Sequence, residues 1–102
     1  MTASYIVAPQ AALDLVEIWR HIKEKSGEAR ADRIESEIRH RFSFLARTPE
    51  AWHVRENLTD EAVKFFLVYS YLIVYRPKTK PLQIISVLHG WRDVERILKK
   101  RL

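Results

Sequence analysis

Tyr71-Leu72-Ile73-Val74-Tyr75-Arg76, then Leu82-Gln83-Ile84-Ile85-Ser86-Val87-Leu88, then His89-Gly90-Trp91-Arg92-Asp93 is the stretch that decides the fold. Two apolar, β-branched runs of strand length are joined by Pro77-Lys78-Thr79-Lys80-Pro81, a basic turn with a proline at each end. Proline cannot donate to a sheet ladder, so the turn bounds both strands. Upstream, residues 63–69 read as another strand. A reversal at Tyr69-Ser70 would make the three runs an antiparallel meander, although that pair holds neither Gly nor Asn. Phe65, Leu67 and Tyr69 alternate with Phe66 and Val68, and Ile84 is followed by Ile85 and Val87, so both faces of the sheet are apolar. Such a sheet must be covered on both sides.

Helical periodicity supplies the cover. Ala11, Leu15, Ile18 and Ile22 share one helical face, which Trp19 widens. Pro9 suits the first turn, and Ala8 offers no side-chain cap. Asp14 and Glu17 early and Lys23 and Lys25 late complement the helix dipole. Gly27 ends this helix. A second helix, Glu28–Arg47, carries the stripe Ala31, Ile34, Ile38, Phe42 and Leu45, with Glu35/Arg39 and Glu37/Arg41 as favourable pairs on its outside. Thr48-Pro49 stops it. The short link makes the two helices an antiparallel hairpin. That hairpin covers one sheet face. The other is left for a C-terminal helix, residues 94–102, or for a partner. Tyr5-Ile6-Val7 reads as a short N-terminal strand and residues 49–61 as a loop. The expected class is α+β: short strand, helical hairpin, three-stranded antiparallel meander and C-terminal helix, all in one domain spanning 1–102.

Composition narrows the function. The chain has 102 residues, 47% of them apolar, with no cysteine. That excludes a disulfide framework, a thiolate metal site and a cysteine nucleophile, and fits the cytoplasm. The N-terminus does not read as a signal peptide, and the longest apolar run, 65–75, is too short to span a bilayer, so no membrane association is expected. Eighteen Lys and Arg against 13 Asp and Glu give a net charge of +5. That balance serves a nucleic acid or an acidic protein partner equally. His21 and His40 read as outer-face helix residues and His53 as a loop residue, with no metal-ligand spacing among them. No cofactor is expected.

Taken in order, Pro9, Asp14-Leu15, Trp19, Pro49, Arg55, Lys64, Tyr71-x-Ile73-x-Tyr75-Arg76 and His89-Gly90-Trp91-Arg92-Asp93 resemble the RelE/ParE family of bacterial toxins over nearly the whole chain. The loop after Pro49 departs from the pattern, with Trp52-His53 where Gly-Arg is common. The family divides by chemistry. RelE-like members cut messenger RNA on the ribosome, which requires a base for the ribose 2′-hydroxyl, cations for the developing phosphorane and an acid for the leaving oxygen. They commonly carry an Arg after the first Tyr of the middle strand and a Tyr or His near the end. Here the first position is Leu72, and residues 94–102 hold neither Tyr nor His. The resemblance therefore points to the ParE branch: a type II toxin that binds DNA gyrase without chemistry of its own and is neutralised by a ParD-like antitoxin. An mRNA endonuclease, or an inactive member that only binds its antitoxin, is the alternative.

Under that reading no residue is catalytic. Trp91, Arg92, His89 and Lys64 are the expected target contacts. Trp52, Phe66, Val68, Ile85 and Val87 are the expected antitoxin contacts. Against this, His89 can simply end a strand, Arg92 can pair with Asp93 or Glu95, and Trp19 reads as core. The basic tail Lys99-Lys100-Arg101 reads as a solvated face without the aromatic interleaving of an RNA binder. No direct sequence-specific nucleic acid contact is expected.

Overall fold

A computed structural model describes residues 4–50, 63–90 and 94–102. The elements run β1 (Tyr5–Val7), α1 (Pro9–Ser26), α2 (Glu28–Arg47), β2 (Lys64–Val68), β3 (Tyr71–Arg76), β4 (Leu82–His89) and α3 (Val94–Arg101). The expected meander β2-β3-β4 forms, and β1 joins it parallel to β4, giving the order β1-β4-β3-β2.

Pro9 opens α1, and Ala8 makes no side-chain cap; its N–H instead bonds the Ile84 carbonyl at 2.9 Å. Gly27 links the helices at φ 91°, ψ 165°, a region essentially reserved for glycine. Its N–H closes α1 on Lys23 and its carbonyl receives the Ala31 N–H of α2. Thr48 ends α2 by bonding the Phe44 carbonyl through both its N–H and its hydroxyl.

The pairing Val68↔Tyr71 makes Tyr69-Ser70 a two-residue reversal. Tyr69 takes the positive φ of 56° that Gly or Asn would normally supply. Its phenol donates to the Glu37 carboxylate on α2, and this ties the turn to the hairpin. Glu35 pairs with Arg39 at 3.2 Å as expected.

Each sheet face has its own core. Toward the hairpin, Tyr71, Ile73, Tyr75, Ile84 and Val87 pack with Leu15, Ile38, Phe42 and Leu45. On the other face, Leu72, Val74, Ile85 and Leu88 pack with Val63, Phe65, Val94 and Leu98. The second face is thus covered by α3. The pairs Val74↔Ser86 and Tyr75↔Ile84 leave Ile85 over as a bulge. It turns Ile85 toward α3, while Ile84 and Val87 on either side still face the hairpin. Among the described residues no helix is long and apolar enough to cross a membrane.

Candidate functional site

Among the described residues, β4 has no parallel neighbour beyond Val7, so its next backbone groups need another partner. Asp14 supplies it. The carboxylate accepts the Val87 N–H at 3.0 Å and a two-pronged bond from Arg101 at 2.7 and 3.1 Å. The same guanidinium donates to the Ser86 hydroxyl at 3.0 Å. The reading of Asp14 as a dipole complement needs correcting: it lies beyond the first turn and is buried. Arg101 is likewise bound, not part of a freely solvated tail.

Leu72 lies where RelE-like chains carry an arginine. Its side chain is fully buried under α3. Lys64 is also largely buried, and its ammonium stands 3.2 Å from the Glu50 carboxylate. His89 is exposed and stacks on Tyr71 with ring centres 5.2 Å apart. Trp91, Arg92 and Trp52 lie outside the described residues. Of the strand residues expected to meet an antitoxin, Val68 and Val87 lie under the hairpin and Ile85 under α3, whereas Phe66 is half-buried against Phe44. Trp19 is half-buried, not core: its indole donates to Asp32 at 2.7 Å and Lys23 sits over its ring.

Sequence reasoning missed His21. It projects from the flank of α1 toward the sheet, its ring centre 6.4 Å from that of His89. Between them opens a cleft of about 300 Å³, lined also by Glu17, Tyr71 and Ile97. A second hollow of about 200 Å³ shares His21 and Tyr71 and is completed by Lys25, Arg30, Tyr69 and Ser70. The hint in the sequence was the spacing Glu17, His21, Lys25, one row along a helix. It carries meaning only once the start of β3 and the end of β4 stand opposite.

The tyrosines here are held neutral. Tyr69 is raised chiefly by its hydrogen bond to Glu37, against the pull of Arg33 and Arg30. Tyr71 is raised by burial, again opposed by Arg30. Tyr75, whose hydroxyl bonds the Pro49 carbonyl at 3.2 Å, is pushed up to about 12 by burial, with the Glu50 charge adding to it. Among the described residues no group of His, Cys, Asp or Glu is arranged to hold a metal ion.

Residues 5–94 match the family described as the ParE toxin of the type II toxin-antitoxin system, parDE. The chain belongs to the ParE toxin family. A solved chain described as part of the chromosomal ParDE TA system from P. aeruginosa shares the fold, with a TM-score of 0.74 and 19% identity over 88% of this chain and 98% of that one. No curated protein matches the chain. The contacts account for the Asp14-Leu15 pair physically. Leu15 enters the hairpin core, while Asp14 satisfies the end of β4 and receives α3.

Proposed function

We propose that this ParE-type toxin acts in the cytoplasm as one domain over 1–102, by binding DNA gyrase and holding its cleaved-DNA state, and that a ParD-like antitoxin neutralises it. The observation that carries the non-enzymatic reading is Leu72. A leucine buried under α3 stands where RelE-like chains commonly carry an arginine. A leucine cannot stabilise a phosphorane, and Lys64 is held by Glu50.

The proposed target contacts are Trp91, Arg92, His89 and Lys64; the register sets Lys64 level with Tyr75 and Ile84 and His89 level with Tyr71 and Val68, so Lys64 and His89 stand at opposite ends of the sheet and would meet the target separately. The proposed antitoxin surface uses Trp52 and the accessible part of Phe66; Val68 and Val87 are buried on the same hairpin-covered face as Phe66, and Ile85 is buried on the opposite face under α3. The exposed Ile6, Leu13, Val16 and Leu67 support an apolar partner as well. The test uses purified, antitoxin-free chain in two assays. The expected result is loss of gyrase supercoiling with accumulation of cleaved DNA, and no cutting of ribosome-bound mRNA. Codon-specific cuts with gyrase unaffected would overturn the reading.

A further inference from the structure

The trench between α1, the start of β3 and the end of β4 has a polarity of which the gyrase reading uses only His89. Along α1 it runs Glu17, His21, Lys25: an anion, an imidazole and a cation on one helical row. The facing wall is aromatic, with His89 stacked on Tyr71 and Tyr69 at the turn. Arg30 closes the cationic end and acts electrostatically on both Tyr69 and Tyr71. Among the described residues, the ion pairs engage Arg39, Lys64, Lys99 and Arg101 and leave Lys25 and Arg30 to solvent.

We propose that this trench binds a nucleotide unit, with its phosphate at Lys25 and Arg30, its ring against His21 and His89, and its hydroxyl or amine donors toward Glu17. Flat rings beside unpaired cations are the combination that holds single-stranded nucleic acid without reading its sequence. About 300 Å³ beside about 200 Å³ accommodates one ring and its phosphate. An acidic peptide would use the cations but gains little from the aromatic wall and is repelled by Glu17. The cleft opens at the β4 edge of the sheet between α1 and α3, drawing Tyr71 and Val87 from the hairpin-side core and Leu88 and Ile97 from the α3-side core, while Leu72 is fully buried and not part of its lining. The sequence concealed this site because its aromatic and basic residues come from α1, α2, β3 and β4 and interleave only in space.

The test is binding of a fluorescein-labelled oligothymidylate by the full purified chain, read by anisotropy across a salt series. Adenosine monophosphate and oligoglutamate serve as unlabelled competitors. Salt-sensitive binding is expected, and Lys25→Ala with Arg30→Ala should shallow the salt slope by about 1.4, at ~0.7 per cation lost. His89→Ala should weaken binding on the order of tenfold while leaving the slope unchanged. Competition by adenosine monophosphate would identify a free nucleotide as sufficient; its failure beside strand binding would identify the strand. Lys99→Ala with Lys100→Ala should change nothing. Binding indifferent to the Lys25, Arg30 and His89 changes, or displaced more readily by oligoglutamate than by nucleotide, would overturn the assignment. All of these readouts are independent of gyrase.

Discussion

Asp14 on α1 and Arg101 on the last turn of α3 meet in a two-pronged ion pair across 87 residues of sequence. This contact joins the two faces of the sheet at the end of β4, because Asp14 also holds the Val87 N–H and Arg101 also holds Ser86. Removing one partner of a buried pair leaves the other uncompensated, which costs about 3 kcal/mol. Arg101→Ala and Asp14→Ala are each expected to lose roughly that much in urea unfolding. The double variant should lose less than the sum, with a coupling of roughly 1–3 kcal/mol. Arg39→Ala, which breaks only the exposed pair with Glu35, should cost about 0.5 kcal/mol or less.

The pair also marks where sequence reading ends. Helical stripes and strand runs are legible because burial repeats with the period of each element. Ala31, Ile34, Ile38, Phe42 and Leu45 are all buried on α2 as the period requires. Position 72 could be read as a core position from residue type alone. Polar partners carry no such period. Asp14 looks like a dipole complement until β4 runs past the end of β1 and leaves an N–H to satisfy. The same holds for His21, whose meaning depends on where β4 ends, and for Ile85, whose outward turn depends on a bulge.

Leu72 is a filled core position. Leu72→Ala is expected to cost about 2–5 kcal/mol, as a deletion from a fully buried site. Leu72→Arg should not create a nuclease. It places a charge among Val74, Leu88 and Leu98, so the expected outcome is loss of the cooperative thermal transition and no RNA cleavage. A folded, RNA-cutting Leu72→Arg chain would show that α3 yields this position readily.

The two positive-φ glycines should respond differently to alanine. Nothing lies within 4 Å of a Cβ added at Gly27, so the cost there is conformational alone. At φ 91°, ψ 165° it is about 1–3 kcal/mol. Gly90 has a φ of 68°, within the φ range of the left-handed region, so Gly90→Ala should cost about 1–2 kcal/mol. Asparagine adopts a φ near +60° more readily than alanine does, so Gly90→Asn is expected to recover much of the loss, whereas Gly27→Asn, at ψ 165°, should not. Thermal midpoints of the four variants check this.

Trp19 bridges the two hairpin helices from a half-buried position. Trp19→Phe removes the bond to Asp32 and keeps most of the packing, so about 1 kcal/mol is expected. Trp19→Ala should cost about 2–3 kcal/mol, below the range for a fully buried tryptophan. Denaturant titrations followed by circular dichroism distinguish these values; a loss as large as that of a deep core deletion would mean the indole packs more tightly than its exposure indicates.

Tyr75 gives the fold an alkaline limit that one substitution should remove. Its side chain is fully buried and its hydroxyl donates to the Pro49 carbonyl, close to the Glu50 carboxylate. Both burial and that neighbouring charge disfavour the phenolate, raising the group from 10.0 to about 12. A phenol is neutral when protonated, so folding favours the protonated form. The stability it contributes is fully present below pH 10 and is lost as pH rises from there toward 12. Tyr75→Phe cannot ionise. It should lower the midpoint slightly at neutral pH through the lost hydrogen bond, by roughly 1 kcal/mol, and then decline less steeply than the parent chain above pH 10. Subtracting the two melting series isolates Tyr75 from the lysines that titrate in the same range. Parallel curves between pH 10 and 12 would mean that the phenolate is tolerated where it sits, against the burial that the structure assigns to it.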